Sequence, residues 1–240
     1  MKSNPKMEQK LSEACRAGLI VYRTENNQYL KVSYKGTGNL ISDKWNIKIY
    51  TSGSVVCNDF QTLDDILNGS IKKPDTSKIL LQADDSGWGF PLLGIMIGIT
   101  DGREVKVDTV DVSFFREGTF QTKAYLKEYA KKGVALIEGH FGATPQTHRI
   151  EICTGYVNKN LKSALRNKGY DVRVVEVKGL LQDKLEAMFK EYVKQELRVD
   201  LAFDPKEFDD KSQIGYHYNR AVEWGRKNAP HLLKTGWKSI

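Results

Sequence analysis

The chain has 240 residues, with 37 Lys and Arg against 30 Asp and Glu, which gives a formal net charge of +7. Its hydrophobic content of 40% and charged content of 28% support a packed core and exclude a disordered chain. No apolar run approaches the roughly 18–20 residues of a membrane span, and the N-terminal segment lacks the apolar stretch of a secretory signal. Cys15, Cys57 and Cys153 are widely spaced and odd in number, which argues against a disulfide scaffold or a zinc site. We therefore expect a soluble, cytoplasmic protein without a membrane partner.

The positive charge favours an anionic partner, nucleic acid above all, because neutralising phosphates releases counterions. The basic residues are spread along the whole chain, so charge alone does not locate a binding surface. The length fits one large domain or two modest ones.

The first part of the chain predicts an α+β domain over residues 1–73. Helical spacing of apolar residues predicts a helix over Pro5–Ala17, and Thr62 is the expected N-cap of a short helix over Leu63–Leu67. Alternating runs between these helices predict four strands: Leu19–Arg23, Tyr29–Tyr34, Trp45–Tyr50 and Ser54–Asn58. Pro74–Ser77 combines a proline with small polar residues and predicts a linker. We expect a curved antiparallel sheet with helices at its ends.

The second part, residues 78–240, has a different order of elements. The predicted strands are Lys78–Ala83, Leu93–Thr100, Val105–Phe115, His148–Thr154 and Asp171–Val177. The predicted helices are Lys123–Lys132, ended by Gly133, followed by Leu161–Lys168, Leu181–Leu197 and Ser212–Lys227. Three strands followed by alternating helices and strands form the ribonuclease H-like order, which predicts an α/β domain with a mixed sheet and helices on both faces.

Two carboxylates, Asp84 and Asp85, come at the end of the first strand of this second part. Neighbouring buried carboxylates are costly, because like charges repel and burial disfavours ionisation. A divalent cation removes that cost, and hard oxygen ligands suit Mg²⁺ or Mn²⁺. Gly87 and Gly89 permit the close backbone approach that a sugar–phosphate chain requires. An ordinary acidic turn is the alternative explanation of this motif.

The run Ala83–Gly94, ADDSGWGFPLLG, resembles the signature of ribonucleases HII and HIII, in which a first strand ends in Asp-Glu-x-Gly-x-Gly and continues to a Gly-Pro segment. Lys44–Asn58, KWNIKIYTSGSVVCN, is similar to part of the TATA-binding-protein-like substrate-binding domain of ribonuclease HIII. Outside these two stretches the resemblance lies in the order of elements. It implies a substrate-binding domain over residues 1–73 and a ribonuclease H-like domain over residues 78–240.

The resemblance also implies roles for individual residues. Asp84 takes the place of the family's first metal-binding Asp, and Asp85 takes that of its Glu, with a shorter side chain. Glu151 lies on the fourth strand, where ribonuclease H-like enzymes keep another carboxylate. Gly87 and Gly89 match the glycines that approach the ribose. Trp88 between them, here assigned to nucleic-acid binding, departs from the Arg or Thr of the family, and the Asp-Ser-Lys-Lys segment expected downstream is absent.

A fourth carboxylate normally comes from a late helix, and Asp183, Asp209 and Asp210 are candidates among which the sequence does not choose; the catalytic set is completed here with Asp210. Helix capping explains Asp residues at such positions equally well. Lys44 and Lys48 alternate along one strand face and could contact phosphate, as could Lys184, although solvated surface lysines would give the same pattern.

Together with the acidic motif, the resemblance implies a metal-dependent nuclease that hydrolyses phosphodiester bonds, with RNA in an RNA–DNA hybrid or duplex as substrate. In the expected mechanism, Asp84, Asp85 and Glu151 hold two Mg²⁺ or Mn²⁺ ions about 4 Å apart. Two alternatives remain open: a nucleic-acid-binding protein on the same fold without catalysis, and a protein-assembly module.

Overall fold

The computed structural model describes residues 1–38, 40–71, 75–203, 208 and 210–237. Lys73 and Pro74, at the predicted boundary between the two parts, and Asp209, a predicted carboxylate, lie outside these residues. The chain divides into two compact units, one comprising residues 1–77 with 173–176 and the other the rest. No helix in the described ranges is long and apolar enough to cross a membrane.

The first unit contains a four-stranded antiparallel sheet and two helices. Its strands follow each other in the order β1-β2-β3-β4. The elements are α1 (Pro5–Arg16), β1 (Ile20–Tyr22), β2 (Leu30–Gly36), β3 (Asn46–Tyr50), β4 (Val55–Cys57) and α2 (Phe60–Leu67). Trp45, Ile47 and Ile49 are fully buried in its core, and the Trp45 indole donates to the carbonyl of Asp59 over 3.0 Å. This architecture confirms the predicted α+β class.

The cap of α2 differs from the sequence prediction. Asp59 is the N-cap, and its carboxylate accepts a hydrogen bond from the Gln61 backbone over 3.2 Å. Thr62 lies inside the first turn, where its hydroxyl donates to the same carboxylate. Both residues can cap helices, and the chain uses the earlier one, which starts α2 three residues before Leu63.

The second unit contains most of a five-stranded mixed sheet. Its strand order is β7-β6-β5-β8-β9, with β5 antiparallel to β6 and parallel to β8. The strands are β5 (Ile79–Ser86), β6 (Ile95–Thr100), β7 (Val105–Val110), β8 (His148–Cys153) and β9 (Asp171–Val175). All of β6 is buried, as expected of a strand covered on both faces. The central strand is therefore β5, and the predicted α/β class with a mixed sheet is confirmed.

In the part of this unit that the structure describes, the α-helices are α3 (Ala124–Val134), α4 (Lys159–Asn167), α5 (Leu180–Leu197) and α6 (Lys211–Asn228). Gly133 does not end α3, which continues into a π-helical segment over Ala135–His140. A Cβ at Gly133 would lie 2.7 Å from Ile97, so this glycine serves the close approach of α3 to β6. The predicted strand Val105–Phe115 also ends early, because Asp111 caps a short 3₁₀ helix over Val112–Phe115.

The segment after α6 is hydrogen-bonded into the second unit. The Leu93 amide donates to the carbonyl of Leu232 over 2.8 Å, and the Lys234 amide donates to the carbonyl of Pro91 over 3.0 Å. The Gly236 amide donates to the carbonyl of Phe115 over 2.9 Å. These bonds place residues 230–237 against the turn that follows β5.

Candidate active site at the end of β5

Strand β5 carries Asp84 and Asp85 to its C-terminal end. Asp84 lies opposite Gly98 on β6, and Asp85 lies opposite Ile97. A Cβ on Gly98 would meet α5, whereas Ile97 approaches α3. Residues directly opposite each other on neighbouring strands project from the same face of a sheet. The two carboxylates therefore leave β5 on opposite faces, Asp84 towards α5 and Asp85 towards α3.

The Asp85 carboxyl is held by a buried polar chain. The Asn158 amide donates to Asp85 Oδ1 over 3.3 Å, and the Tyr129 hydroxyl donates to Asn158 Oδ1 over 2.9 Å. Burial, followed by the nearby charge of Asp84, raises the pKa of Asp85 to about 7, although the Lys234 ammonium acts in the opposite direction. A further cation beside this carboxyl would favour its charged form.

The neighbour of Asp84 on β8 is Cys153. The register pairs Ala83 with Ile152. Asp84 and Cys153 are the next residues of β5 and β8, and the Cys153 thiol contacts the Asp84 carboxylate. Burial and the charge of Asp84 raise the pKa of Cys153 to about 11, so the sulfur stays a neutral thiol at physiological pH. This supports a packing role for Cys153 and argues against a nucleophile or a metal-binding thiolate.

Glu151 lies two residues before Cys153 on β8, opposite Gln82. Its carboxylate accepts hydrogen bonds from Arg149 Nη1 over 2.9 Å and from Gln82 Nε2 over 3.1 Å. Both oxygens therefore have partners within the sheet. The structure brings Asp84 and Asp85 together at the end of β5. The register of β8 places Cys153 beside Asp84, so Glu151 lies two residues before the strand end and bonds to Arg149 and Gln82.

The carboxylates at this end of the sheet fit one hard cation. Within residues 1–38, 40–71, 75–203, 208 and 210–237, no group of three or more His, Cys, Asp or Glu side chains could hold a metal ion. Mg²⁺ is often bound by one or two carboxylates, with substrate phosphates completing its ligands. Asp84 and Asp85 offer such oxygens, but they do not fit a pair of ions held by the protein alone.

A cleft of about 470 Å³ opens beside the end of β5. One side is the turn after β5, including Gly87, Trp88 and Gly89, and Asp85 borders it. The other side comes from α5 and α6 and from Phe203, with Glu186 as a second acidic residue. The cleft thus joins two carboxylates with largely apolar and aromatic walls, a combination suited to a ligand with both charged and flat parts.

Trp88 reaches this cleft from an aromatic cluster. Its ring packs at centroid distances of 5.6 Å from Tyr125, 5.7 Å from Trp237 and 6.2 Å from Tyr156. The side chain is half-buried, so one part is fixed by packing and another faces the cleft. This is compatible with base stacking at the predicted position.

The remaining predicted residues are not among those that line this cleft. On β3 of the first unit, Ile47 and Ile49 are buried while Lys48 faces outward, and the Lys48 ammonium bonds to the Glu25 carboxylate. Lys44 is exposed and precedes β3, so it is not part of the strand. Any phosphate contact of Lys48 would compete with Glu25.

Lys184 and Asp210 belong to helices of the second unit. Lys184 is exposed on α5. Asp210 is the N-cap of α6, and its Oδ1 accepts a hydrogen bond from the Ser212 amide over 2.8 Å. The described contacts of Asp210 are those of a helix cap.

Three residues at the end of β5 were not found from the sequence: Asn158, Glu186 and Lys234. Asn158 and Lys234 are completely buried polar side chains, and such groups are rare without a specific partner. Their spacing from Asp85 carries no local pattern. Glu186 comes directly after Leu185, a buried residue of the apolar face of α5. This position is the sequence signal that would place Glu186 at the edge of the packed face.

No family model and no curated protein sequence matches the chain. Among solved structures, a crystal structure of ribonuclease H3 from Aquifex aeolicus is similar at 14% identity and a TM-score of 0.37, covering 98% of each chain. Bst ribonuclease HIII in complex with Mn²⁺ is similar at 13% identity and a TM-score of 0.38, covering 98% of this chain and 92% of the other. A point mutant of Bst ribonuclease HIII has 14% identity and a TM-score of 0.34, covering 84% of each chain.

Proposed function

We propose that this protein is a metal-dependent nuclease that hydrolyses RNA in an RNA–DNA hybrid at the C-terminal end of β5. The observation that supports this proposal most is the pair Asp84 and Asp85 on the central strand, next to a cleft with acidic and aromatic walls. Gly87 and Gly89 would let a sugar–phosphate backbone approach the strand end, and Trp88 would stack on a base.

Asp84 and Asp85 would hold a Mg²⁺ or Mn²⁺ ion together with phosphate oxygens of the substrate. When bound, such an ion polarises the phosphate and lowers the pKa of an attacking water. Asn158 would orient the Asp85 carboxylate through its 3.3 Å hydrogen bond. Gln82 and Arg149 would hold the Glu151 carboxylate in place through their hydrogen bonds. Glu151 would join the reacting groups when substrate binding releases it from these partners. The first unit would contribute binding of the nucleic-acid backbone, with Lys44 and Lys48 as contacts.

The test is cleavage of an RNA–DNA hybrid, a DNA duplex with a single ribonucleotide and a branched DNA, each with Mg²⁺, with Mn²⁺ and with EDTA. We expect Asp84→Asn and Asp85→Asn to reduce cleavage at least 100-fold, since each removes a charged ligand. Glu191→Gln is the matched control, because Glu191 is an exposed carboxylate on α5 outside the cleft. Full activity of Asp84→Asn would refute the proposal. Glu151→Gln then reports whether that carboxylate belongs to the reacting set.

A second function is favoured by the engagement of Glu151 with Arg149 and by the presence of Cys153 beside Asp84. Both features remove a carboxylate from the end of β5, and a nucleic-acid-binding protein without catalysis would tolerate that loss. This function predicts hybrid binding that weakens with salt, without cleavage in either metal. Electrophoretic shifts at two salt concentrations distinguish it, and the absence of binding at low salt would leave the protein-assembly alternative.

A further inference from the structure

Lys234 is a completely buried lysine at the candidate site. A buried ammonium is costly unless it is hydrogen-bonded and faces opposite charge. The Lys234 ammonium donates to the carbonyl of Gly87 over 2.6 Å, in the turn that directly follows β5. It also lies 5.2 Å from the ring centroids of both Phe115 and Trp237, within the range of cation–π attraction. The fold therefore builds a specific environment for one positive charge.

This charge lies at the end of β5 and acts on Asp85, because the Gly87 carbonyl that Lys234 binds is two residues after Asp85. Burial lowers the pKa of Lys234 to about 7, and the charge of Asp85 opposes that change. In return, Lys234 lowers the pKa of Asp85. The end of β5 thus contains two carboxylates and one ammonium supplied by the chain. A pair of divalent ions would add four positive charges next to a turn that already holds a buried lysine ammonium, hydrogen-bonded two residues after Asp85.

We propose that the Lys234 ammonium takes the place of one divalent ion at the end of β5, so that this site binds at most a single ion. The inference rests on the proposed function, because it concerns the metal ions that a nuclease site would use. Lys234 does not line the cleft, so it is a positioning residue that neutralises Asp85 and fixes the Gly87 carbonyl. The single ion would be the one that the proposed function assigns to Asp84 and Asp85.

The test counts Mn²⁺ ions by isothermal titration calorimetry on the full chain, without nucleic acid. We compare the natural protein with Lys234→Met, which removes the charge, and with Lys234→Gln, which removes the charge but retains a hydrogen-bond donor for Gly87. Lys227→Met is the matched control, because Lys227 is exposed on α6. Asp84→Asn identifies the ions that belong to the end of β5.

We expect at most one such ion in the natural protein, and an additional ion or at least tenfold tighter binding in both Lys234 variants. Lys227→Met should match the natural protein. Two ions in the natural protein overturn the inference, whether or not the variants fold. It is equally overturned if folded Lys234→Gln binds Mn²⁺ no better than the natural protein, since a merely structural lysine would leave or weaken binding. These outcomes do not depend on cleavage, so a protein that cleaves nothing but shows the expected counts contradicts the proposed function alone.

Discussion

The turn after β5 depends on Gly87, and replacing this residue with alanine is a quantitative test of the site's packing. Gly87 has a φ of +84°, and a Cβ built on it would lie 2.9 Å from Phe189 Cδ2 and closer still to two further carbons of that ring. The left-handed backbone costs a non-glycine residue about 1 kcal/mol. Forcing a methyl group into the packed ring costs roughly another 1–3 kcal/mol. We therefore expect Gly87→Ala to lower the free energy of unfolding by about 2–4 kcal/mol.

Gly102→Ala separates these two contributions. Gly102 has a similar φ of +89°, but a Cβ there would have nothing within 4 Å. Its replacement should therefore cost only the backbone contribution of about 1 kcal/mol. Urea unfolding of both variants measures the difference, and Phe189→Leu in the Gly87→Ala background should recover part of it. If the two alanine variants lose equal stability, the inferred contact between the turn and α5 is wrong.

Three further predictions concern hydrogen bonds and charge. Tyr129→Phe should lower the free energy of unfolding by about 1–3 kcal/mol in thermal denaturation, because it leaves the buried Asn158 oxygen without this donor. Asn4→Ala should lower it by about 1 kcal/mol, since the Asn4 side chain caps α1 by accepting from the Met7 amide; Asn4→Asp, which retains the cap, is the control. Asp85 has a pKa of about 7 when folded and an ordinary value of 3.8 when unfolded, so the folded chain binds more protons between these values. In EDTA, the free energy of unfolding of the natural protein relative to Asp85→Asn should therefore fall as the pH rises from about 4 to about 7. The total decrease should reach roughly 4 kcal/mol, because each pKa unit corresponds to about 1.4 kcal/mol. A constant difference across that range would contradict the buried position of the carboxyl.

The strands and helices could be predicted because their signals are local. The alternation of Trp45, Ile47 and Ile49 with polar residues is part of the strand pattern predicted over Trp45–Tyr50, and all three residues are buried. The acidic motif could likewise be placed at the end of β5, because an apolar strand leads directly into it. Gly133 misled the prediction, since a glycine that permits close packing looks the same in sequence as one that ends a helix.

The partners of the acidic motif could not be predicted, because they depend on pairing between distant segments. A shift of two residues in the register of β8 decides whether Glu151 or Cys153 lies beside Asp84, and no residue pattern specifies that shift. Lys234 is 147 residues away from Gly87 in sequence, and one lysine near the end of a basic chain carries no signal of its own. The sequence therefore does not determine how many carboxylates lie at the site.

The attachment of residues 230–237 to the turn after β5 has a consequence for biosynthesis. At roughly 5–20 residues per second, a ribosome makes Lys234 about 7–30 s after Gly87. During that interval β5 and β6 are already synthesised, but the nascent chain lacks the ammonium and the Trp237 ring that complete their surroundings. The acidic strand end therefore lacks these two side chains on the growing polypeptide until residues 234–237 have been synthesised.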